Sequence, residues 1–183
     1  LLAAIQNPDP VLFLEPKRIY RTVKQDVPDD GVALPLDLCF TIREGSDITL
    51  VTWGAMVQET LSAADKLSEL GIEAEVIDVA TLTPLDMDTI LTSVEKTGRC
   101  VIIHEAPYTG GFGAEIAARL AEKGLLHLLS PVLRVTGYDT IMPTPRTEHY
   151  YYVTEEKIIE AARKTVAFPE TPEDLTPHQT NVA

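Results

Sequence analysis

Short apolar runs alternate with amphipathic segments along most of this chain, and three of the amphipathic segments end at a glycine. The apolar runs occupy residues 74–79, 100–103 and 132–135, and the glycines are Gly71, Gly98 and Gly124. Such runs are typical of strands buried on both faces of a parallel sheet, and a glycine at this point is a common helix stop. Because right-handed crossovers place helices on both faces of the sheet, the pattern predicts an α/β fold, a three-layer α/β/α sandwich.

Two further β-rich runs, residues 38–42 and 48–53, come before the first of these units. Only residues 43–47 connect them, and this connection is too short for a crossover between parallel strands. We therefore predict that the two runs form an antiparallel hairpin. The whole domain then has a mixed five-stranded sheet with one antiparallel edge strand.

Two helix starts are indicated by capping residues. Thr83 is followed by Pro84 and Asp86, which is the order of cap, first-turn proline and first-turn acid, so a helix is predicted to begin there. Thr154 stands in the same way before the apolar positions of a final helix.

The first 37 residues differ from the rest of the chain. Residues 11–14 are apolar and are predicted to form a short buried strand, although no neighbouring strand lies near them in sequence. We interpret residues 1–24 as the remnant of an N-terminal domain and residues 25–37 as a linker. The main domain is then residues 38–168, and residues 169–183, with three prolines, are predicted to be a flexible tail.

A basic segment within the first of these regions contains Lys17, Arg18, Arg21 and Lys24. Two interpretations of this segment are open, a site for an anion and a solvated linker. The chain as a whole has a formal net charge of −13, which argues against nucleic acid or an anionic membrane as a partner. Cys39 and Cys100 both lie in apolar runs and are predicted to be reduced core thiols. No metal-ligand motif is present, and a cytosolic or organelle-matrix location is expected.

The first candidate site is the stretch of residues 100–113. An apolar strand leads into His104 and Glu105, then Pro107, then a glycine turn formed by Gly110, Gly111 and Gly113. The carboxyl end of a strand is where ligands and partners usually bind in an open α/β sheet. The glycine turn matches neither common phosphate-binding motif, so close packing of a helix start is favoured over phosphate binding. His104 and Glu105 are neighbours on a strand and are expected to face opposite ways.

A second candidate is the run Tyr150, Tyr151 and Tyr152. Two interpretations are open: an exposed docking patch, or a segment with alternate rings buried.

Several sequence motifs together carry a family resemblance. They are the segments EPKRIYR at 15–21, EGSDITLVTWG at 44–54, AEVID at 74–78, KTGR at 96–99, HEAPYTGGF at 104–112 and RVTGYDT at 134–140. With these motifs the chain resembles the beta subunit of the thiamine-diphosphate-dependent decarboxylating component of 2-oxo acid dehydrogenase complexes. The branched-chain (2-oxoisovalerate) type is the nearest match and the pyruvate type the next, and the main domain would be a transketolase C-terminal domain.

The resemblance implies that this portion assists assembly rather than catalysis. In the family an N-terminal pyrimidine-binding domain and an alpha subunit hold the thiamine diphosphate and Mg²⁺, so no catalytic, cofactor-binding or metal-binding residue is assigned in this chain. The implied partners are an alpha subunit and a second beta subunit in an α2β2 heterotetramer, and the lipoyl-transacylase core. Family members can have an acidic residue before the last strand, where this chain has Leu129-Ser130-Pro131.

Interface candidates follow from this implied role. They are His104, Glu105, Tyr108, Gly110, Gly111, Phe112, Arg134, Tyr150 and Tyr151. Pyruvate or acetoin dehydrogenase is the alternative enzyme, and a stand-alone α/β binding module is the alternative class. The bacterial cytoplasm is the expected location, with the mitochondrial matrix as the alternative.

Overall fold

A mixed five-stranded sheet forms the centre of the computed structural model, which describes residues 1–22, 24 and 26–169. Its strands are β1 (Phe40–Arg43), β2 (Ile48–Thr52), β3 (Ala74–Asp78), β4 (Cys100–Pro107) and β5 (Leu133–Gly137). The strand order is β1-β3-β2-β4-β5, with β1 antiparallel to β3 and the other neighbours parallel. The predicted mixed sheet with one antiparallel edge strand is confirmed.

Helices flank this sheet, and four of them cover its two faces. The described helices are α1 (Leu2–Gln6), α2 (Met56–Glu69), α3 (Met87–Thr97), α4 (Gly113–Lys123), α5 (Glu148–Tyr151) and α6 (Glu155–Val166), with short 3-10 turns at Lys17–Ile19 and Leu125–His127. Helices α2 and α6 pack on one face, and α3 and α4 pack on the other. The described part contains no helix long and apolar enough to span a membrane.

The predicted hairpin is wrong in its pairing, although β1 and β2 do run in opposite directions. Strand β3 lies between them, and the connection passes over the start of β3. Its backbone is held there because Ser46 and Asp47 both donate N–H groups to the carbonyl of Glu73, at 3.0 and 2.9 Å. A Cβ on Gly45 would lie 2.2 Å from the carbonyl carbon of Ala74, so only glycine fits at this crossing.

The predicted helix start at Thr83 is also wrong. Helix α3 begins at Met87, and its cap is Asp86, whose carboxylate accepts hydrogen bonds from the Thr89 N–H at 3.1 Å and the Thr89 hydroxyl at 2.6 Å. The same carboxylate accepts the N–H of Cys39 at 3.0 Å. The capping carboxylate thus also joins the start of α3 to a residue 47 positions earlier in the chain. Thr154 does precede α6, but its side chain makes no capping hydrogen bond.

The predicted buried strand at residues 11–14 is wrong as well. These residues form no strand, and all four side chains are exposed, with Leu12 84% exposed. No sheet within the described residues offers them a neighbour. Other predicted bounds shift slightly: the strand at 100–103 continues to Pro107, and the strand at 132–135 is Leu133–Gly137.

Cys39 and Cys100 are both buried and free, as predicted. Burial raises the pKa of each thiol to about 12. The domain boundaries stay predictions, and residues 170–183 of the predicted tail lie outside the described residues, as does Gln25 of the predicted linker.

Candidate functional site

The end of β4 is irregular where His104 and Glu105 lie. Ile103 pairs with Val135 and Pro107 pairs with Gly137, so four steps along β4 match two steps along β5. Bulges of this kind interrupt regular pairing and are frequent beside functional sites, because they redirect side chains. At this bulge His104 is buried and Glu105 is exposed, which confirms that the two side chains face opposite ways and excludes a shared proton.

His104 is enclosed by aromatic rings. Its side chain is 1% exposed, and its ring stacks on Trp53 with a centroid separation of 5.1 Å and an interplanar angle of 15°. Phe112 meets the same indole edge-on at 6.2 Å. Neither ring nitrogen of His104 has a hydrogen-bonding partner within the described residues. Burial, together with the positive charge of Arg134, lowers the pKa of His104 to about 4, so the ring is neutral at pH 7.

The glycine turn closes over this ring. A Cβ on Gly113 would lie 2.4 Å from His104 Nε2, and a Cβ on Gly111 would lie 2.6 Å from His104 Cε1 and 2.4 Å from the Pro107 carbonyl oxygen. The absence of side chains therefore lets the start of α4 pack on the imidazole. This geometry agrees with the close-packing interpretation.

The described residues contain no group of three or more His, Cys, Asp or Glu side chains that could hold a metal ion. No chemical step is assigned to the described residues.

Outside the buried cluster, Arg134 on β5 supports Tyr108. The guanidinium carbon lies 3.6 Å from the centre of the tyrosine ring, and Nη1 donates a hydrogen bond of 2.8 Å to the Tyr108 carbonyl. Cation–π and hydrogen-bond contacts together fix the orientation of an otherwise exposed ring. Tyr108 thus presents 49% of its surface to solvent from a rigid position.

A second contact joins the loops that follow β4 and β5. Asp139 accepts the Thr109 N–H at 2.8 Å and the Thr109 hydroxyl at 2.5 Å. These hydrogen bonds lower the pKa of the Asp139 carboxyl. Neither residue could be predicted from the sequence as part of the site, because a contact between two loops leaves no periodic signal.

The tyrosine run divides between exposed and partly buried positions. Tyr150 is 71% exposed, whereas Tyr151 and Tyr152 are half-buried. A Cβ on Gly137 would lie 2.6 Å from the Tyr151 hydroxyl, so this ring packs directly on the end of β5. Tyr138 meets Tyr151 edge-on at 6.2 Å. The two half-buried rings are adjacent, so the predicted alternation of buried rings is not observed, and the docking patch stays a prediction.

The interface candidates do not form a single surface. His104, Gly111 and Phe112 contribute to the interior cluster, whereas Tyr108 and Tyr150 are exposed. Other exposed apolar side chains follow β5 and were not among the candidates, namely Tyr138, Ile141 and Met142. We call Tyr108, Tyr138, Ile141, Met142 and Tyr150 the carboxyl-edge surface. The signal available in the sequence was the presence of large apolar residues in the irregular, proline-containing residues 138–147.

The sheet order and the helices on both faces define the chain as an α/β domain with a three-layer arrangement and one antiparallel edge strand. Its carboxyl edge shows a packed aromatic cluster. The sequence model of the family described as "Transketolase, C-terminal domain" matches residues 39–158, and the chain belongs to this family.

Two named relatives match a longer part of the chain than this domain. The chain is 42% identical over 168 residues to "Pyruvate dehydrogenase E1 component subunit beta" of Bacillus subtilis, covering 92% of this chain and 52% of that protein. It is 49% identical over 168 residues to "2-oxoisovalerate dehydrogenase subunit beta 2, mitochondrial" of Arabidopsis thaliana, covering 92% of this chain and 47% of that protein. The chain thus spans about half the length of these relatives.

A solved structure shares the fold. It is described as "Split gene transketolase, inactive beta4 tetramer", with 28% sequence identity and a TM-score of 0.67 over 79% of this chain and 46% of that one.

Proposed function

We propose that this chain is the C-terminal part of the beta subunit of a thiamine-diphosphate-dependent 2-oxo acid dehydrogenase, and that it serves assembly. The observation that supports this most directly is the similarity to two dehydrogenase beta subunits over 92% of the chain. The partners of the proposed assembly are an alpha subunit and a second beta subunit in an α2β2 heterotetramer, and the lipoyl-transacylase core. Residues 1–24 would belong to the preceding pyrimidine-binding domain.

The carboxyl-edge surface is a suitable place for a subunit contact. Aromatic and large apolar side chains are enriched at protein interfaces, and Ile141 is 90% exposed in this structure. Rigid support reduces the entropy lost on binding. Arg134 supplies such support to Tyr108, and the ammonium of Lys157 lies 4.9 Å from the ring centre of Tyr138.

We propose further that the substrate is a branched-chain 2-oxo acid. Identity with the plant 2-oxoisovalerate dehydrogenase subunit is 49%, against 42% with the Bacillus subtilis pyruvate dehydrogenase subunit over the same number of residues. Pyruvate and acetoin dehydrogenases are the alternatives. Thiamine diphosphate and Mg²⁺ would supply the decarboxylation chemistry in the assembled enzyme, and the residues that hold them would lie outside this chain.

Coexpression with a candidate alpha subunit tests the assembly. We expect the two proteins to copurify as a heterotetramer, and we expect Tyr150→Asp or Ile141→Asp to weaken that complex at least tenfold. Leu126→Asp is the matched control, because Leu126 is 96% exposed and lies before β5, at the opposite end of the sheet. A chain that stays a monomer with every alpha subunit tried would favour a stand-alone binding module.

The substrate is tested separately with the assembled enzyme. Turnover of 2-oxoisovalerate should exceed turnover of pyruvate in a decarboxylation assay. Equal turnover of the two acids would contradict the branched-chain proposal while leaving the assembly proposal intact.

A further inference from the structure

We propose that residues 15–20 form a strap whose position is coupled to that of residues 152–153, the segment that directly follows the tyrosine-bearing helix α5, and that Arg18 is the positioning residue of the strap. The strap belongs to the basic segment for which the sequence left an anion site and a solvated linker open. The structure shows neither for Arg18, because its guanidinium is directed at the start of α2.

Arg18 makes two contacts with the start of α2. Its Nη2 donates a hydrogen bond of 3.2 Å to the carbonyl of Ala55, and its Nη1 lies 2.8 Å from Glu59 Oε1. The second carboxylate oxygen of Glu59 is buried and has no hydrogen-bonding partner among the described residues. Removing the guanidinium would leave a partly buried carboxylate without its counter-charge, which is more costly than losing an exposed ion pair.

Three other contacts order the strap. The ring of Pro16 lies over Gly54, with its Cγ 3.5 Å from the position of a Cβ there. The Tyr20 hydroxyl donates a hydrogen bond of 2.6 Å to Glu15, which joins the two ends of the strap. Ile19 packs against the apolar cluster on the α2 and α6 face of the sheet.

The same apolar cluster includes Val153, the second residue after α5. Ile19 of the strap and Val153 thus contact one apolar cluster, although α5 itself has no buried residue. The charge of Arg18 also acts on Tyr152, the residue between α5 and Val153. Burial and a hydrogen bond with Glu148 raise the pKa of Tyr152, and the positive charge of Arg18 opposes this increase. Because packed interiors transmit displacement, a shift of the strap reaches the end of α5 through this cluster.

Hydrogen exchange measured on the purified protein tests this coupling without any partner subunit. The amides to follow are Ile19 and Tyr20 in the strap, and Tyr150 and Tyr152 at α5, all of which are hydrogen-bonded. Arg18→Gln is expected to accelerate exchange roughly tenfold or more at both sets of amides. Arg21→Gln, a change at an exposed cation of the same segment, should leave both sets unchanged.

Faster exchange in the strap alone would overturn the coupling, and no change in either set would overturn the role of Arg18. Arg18→Lys keeps a positive charge but offers fewer hydrogen-bond donors, so it should give intermediate exchange rates. This variant also provides the test if Arg18→Gln does not fold. Protection of the β4 amides reports that the fold is intact. Because no alpha subunit is present, the result is independent of whether the carboxyl-edge surface binds one.

Discussion

The indole of Trp53 lies nearly parallel to the imidazole of His104, with ring centroids 5.1 Å apart. This stack joins the ends of β2 and β4, which are adjacent strands at the centre of the sheet. In open α/β sheets the corresponding crevice often receives a ligand. Here the chain fills the crevice with its own rings and closes it with the start of α4, so the site is part of the core.

The first prediction concerns pH. Burial lowers the pKa of folded His104 to about 4 from an ordinary value of 6.5, so the unfolded state takes up the proton first as pH falls. The contribution of His104 to the free energy of unfolding is fully present above pH 6.5, decreases between pH 6.5 and about 4, and is constant below that. The total loss is about 3 kcal/mol. Urea unfolding followed by the fluorescence of the single tryptophan measures it.

The variant His104→Asn should be less stable at pH 7 but should lose less free energy of unfolding between pH 6.5 and 4. His127→Gln, at an exposed position, should keep the wild-type dependence. An unchanged pH dependence in His104→Asn would show that other groups account for the acid instability.

The second prediction concerns the glycine turn. Gly113→Ala should lower the free energy of unfolding by about 1–3 kcal/mol, because the new methyl would overlap the buried His104 ring. In a His104→Ala background the ring is absent, so the same Gly113→Ala change should cost much less. A double-mutant cycle by urea unfolding measures the difference. Equal costs in both backgrounds would mean that α4 does not depend on glycine for this contact.

The third prediction concerns a buried charge. Glu75 in β3 is 3% exposed and is ion-paired with Lys96 of α3. Lys96→Met should lower the free energy of unfolding by about 2 kcal/mol, because the buried Glu75 carboxylate loses its counter-charge. The loss is moderated because the Lys96 side chain is 44% exposed, so solvent already screens the pair. Lys164→Met removes a fully surface pair with Glu160 and should change stability by less than about 0.5 kcal/mol. Similar losses of unfolding free energy in the two variants would contradict the expected difference between the buried and the surface ion pair.

The fourth prediction concerns the cap of α3. Burial raises the pKa of Asp86, but hydrogen bonds from Thr89 and the Cys39 N–H outweigh this effect, and the pKa is lowered overall. Asp86→Ala should destabilise the protein by about 1–2 kcal/mol, and Asp86→Asn by less because an amide oxygen still caps. Thr83→Ala tests the cap predicted from sequence and should have a smaller effect than Asp86→Ala. A larger effect of Thr83→Ala in thermal unfolding would restore the original assignment.

Local features of the sequence determined the fold class. Apolar runs such as residues 100–103 are too short for helices and too apolar for an exposed edge, and Gly98 adopts φ +69° at the end of α3, where a left-handed residue stops a helix. The mixed five-stranded sheet followed from these units. The burial of His104 and the exposure of Glu105 also followed from the alternation expected of neighbours on a strand, although β4 is irregular at this point.

Tertiary structure decided which elements meet. Pairing of β1 with β3 and the hydrogen bond from the Cys39 N–H to Asp86 each join residues distant in sequence. The Arg18 contact with Glu59 spans 41 positions along the chain in the same way. Local periodicity reports which face of an element is buried, but not which partner buries it. The partner is selected by the packing of the whole domain, and only the structure shows that selection.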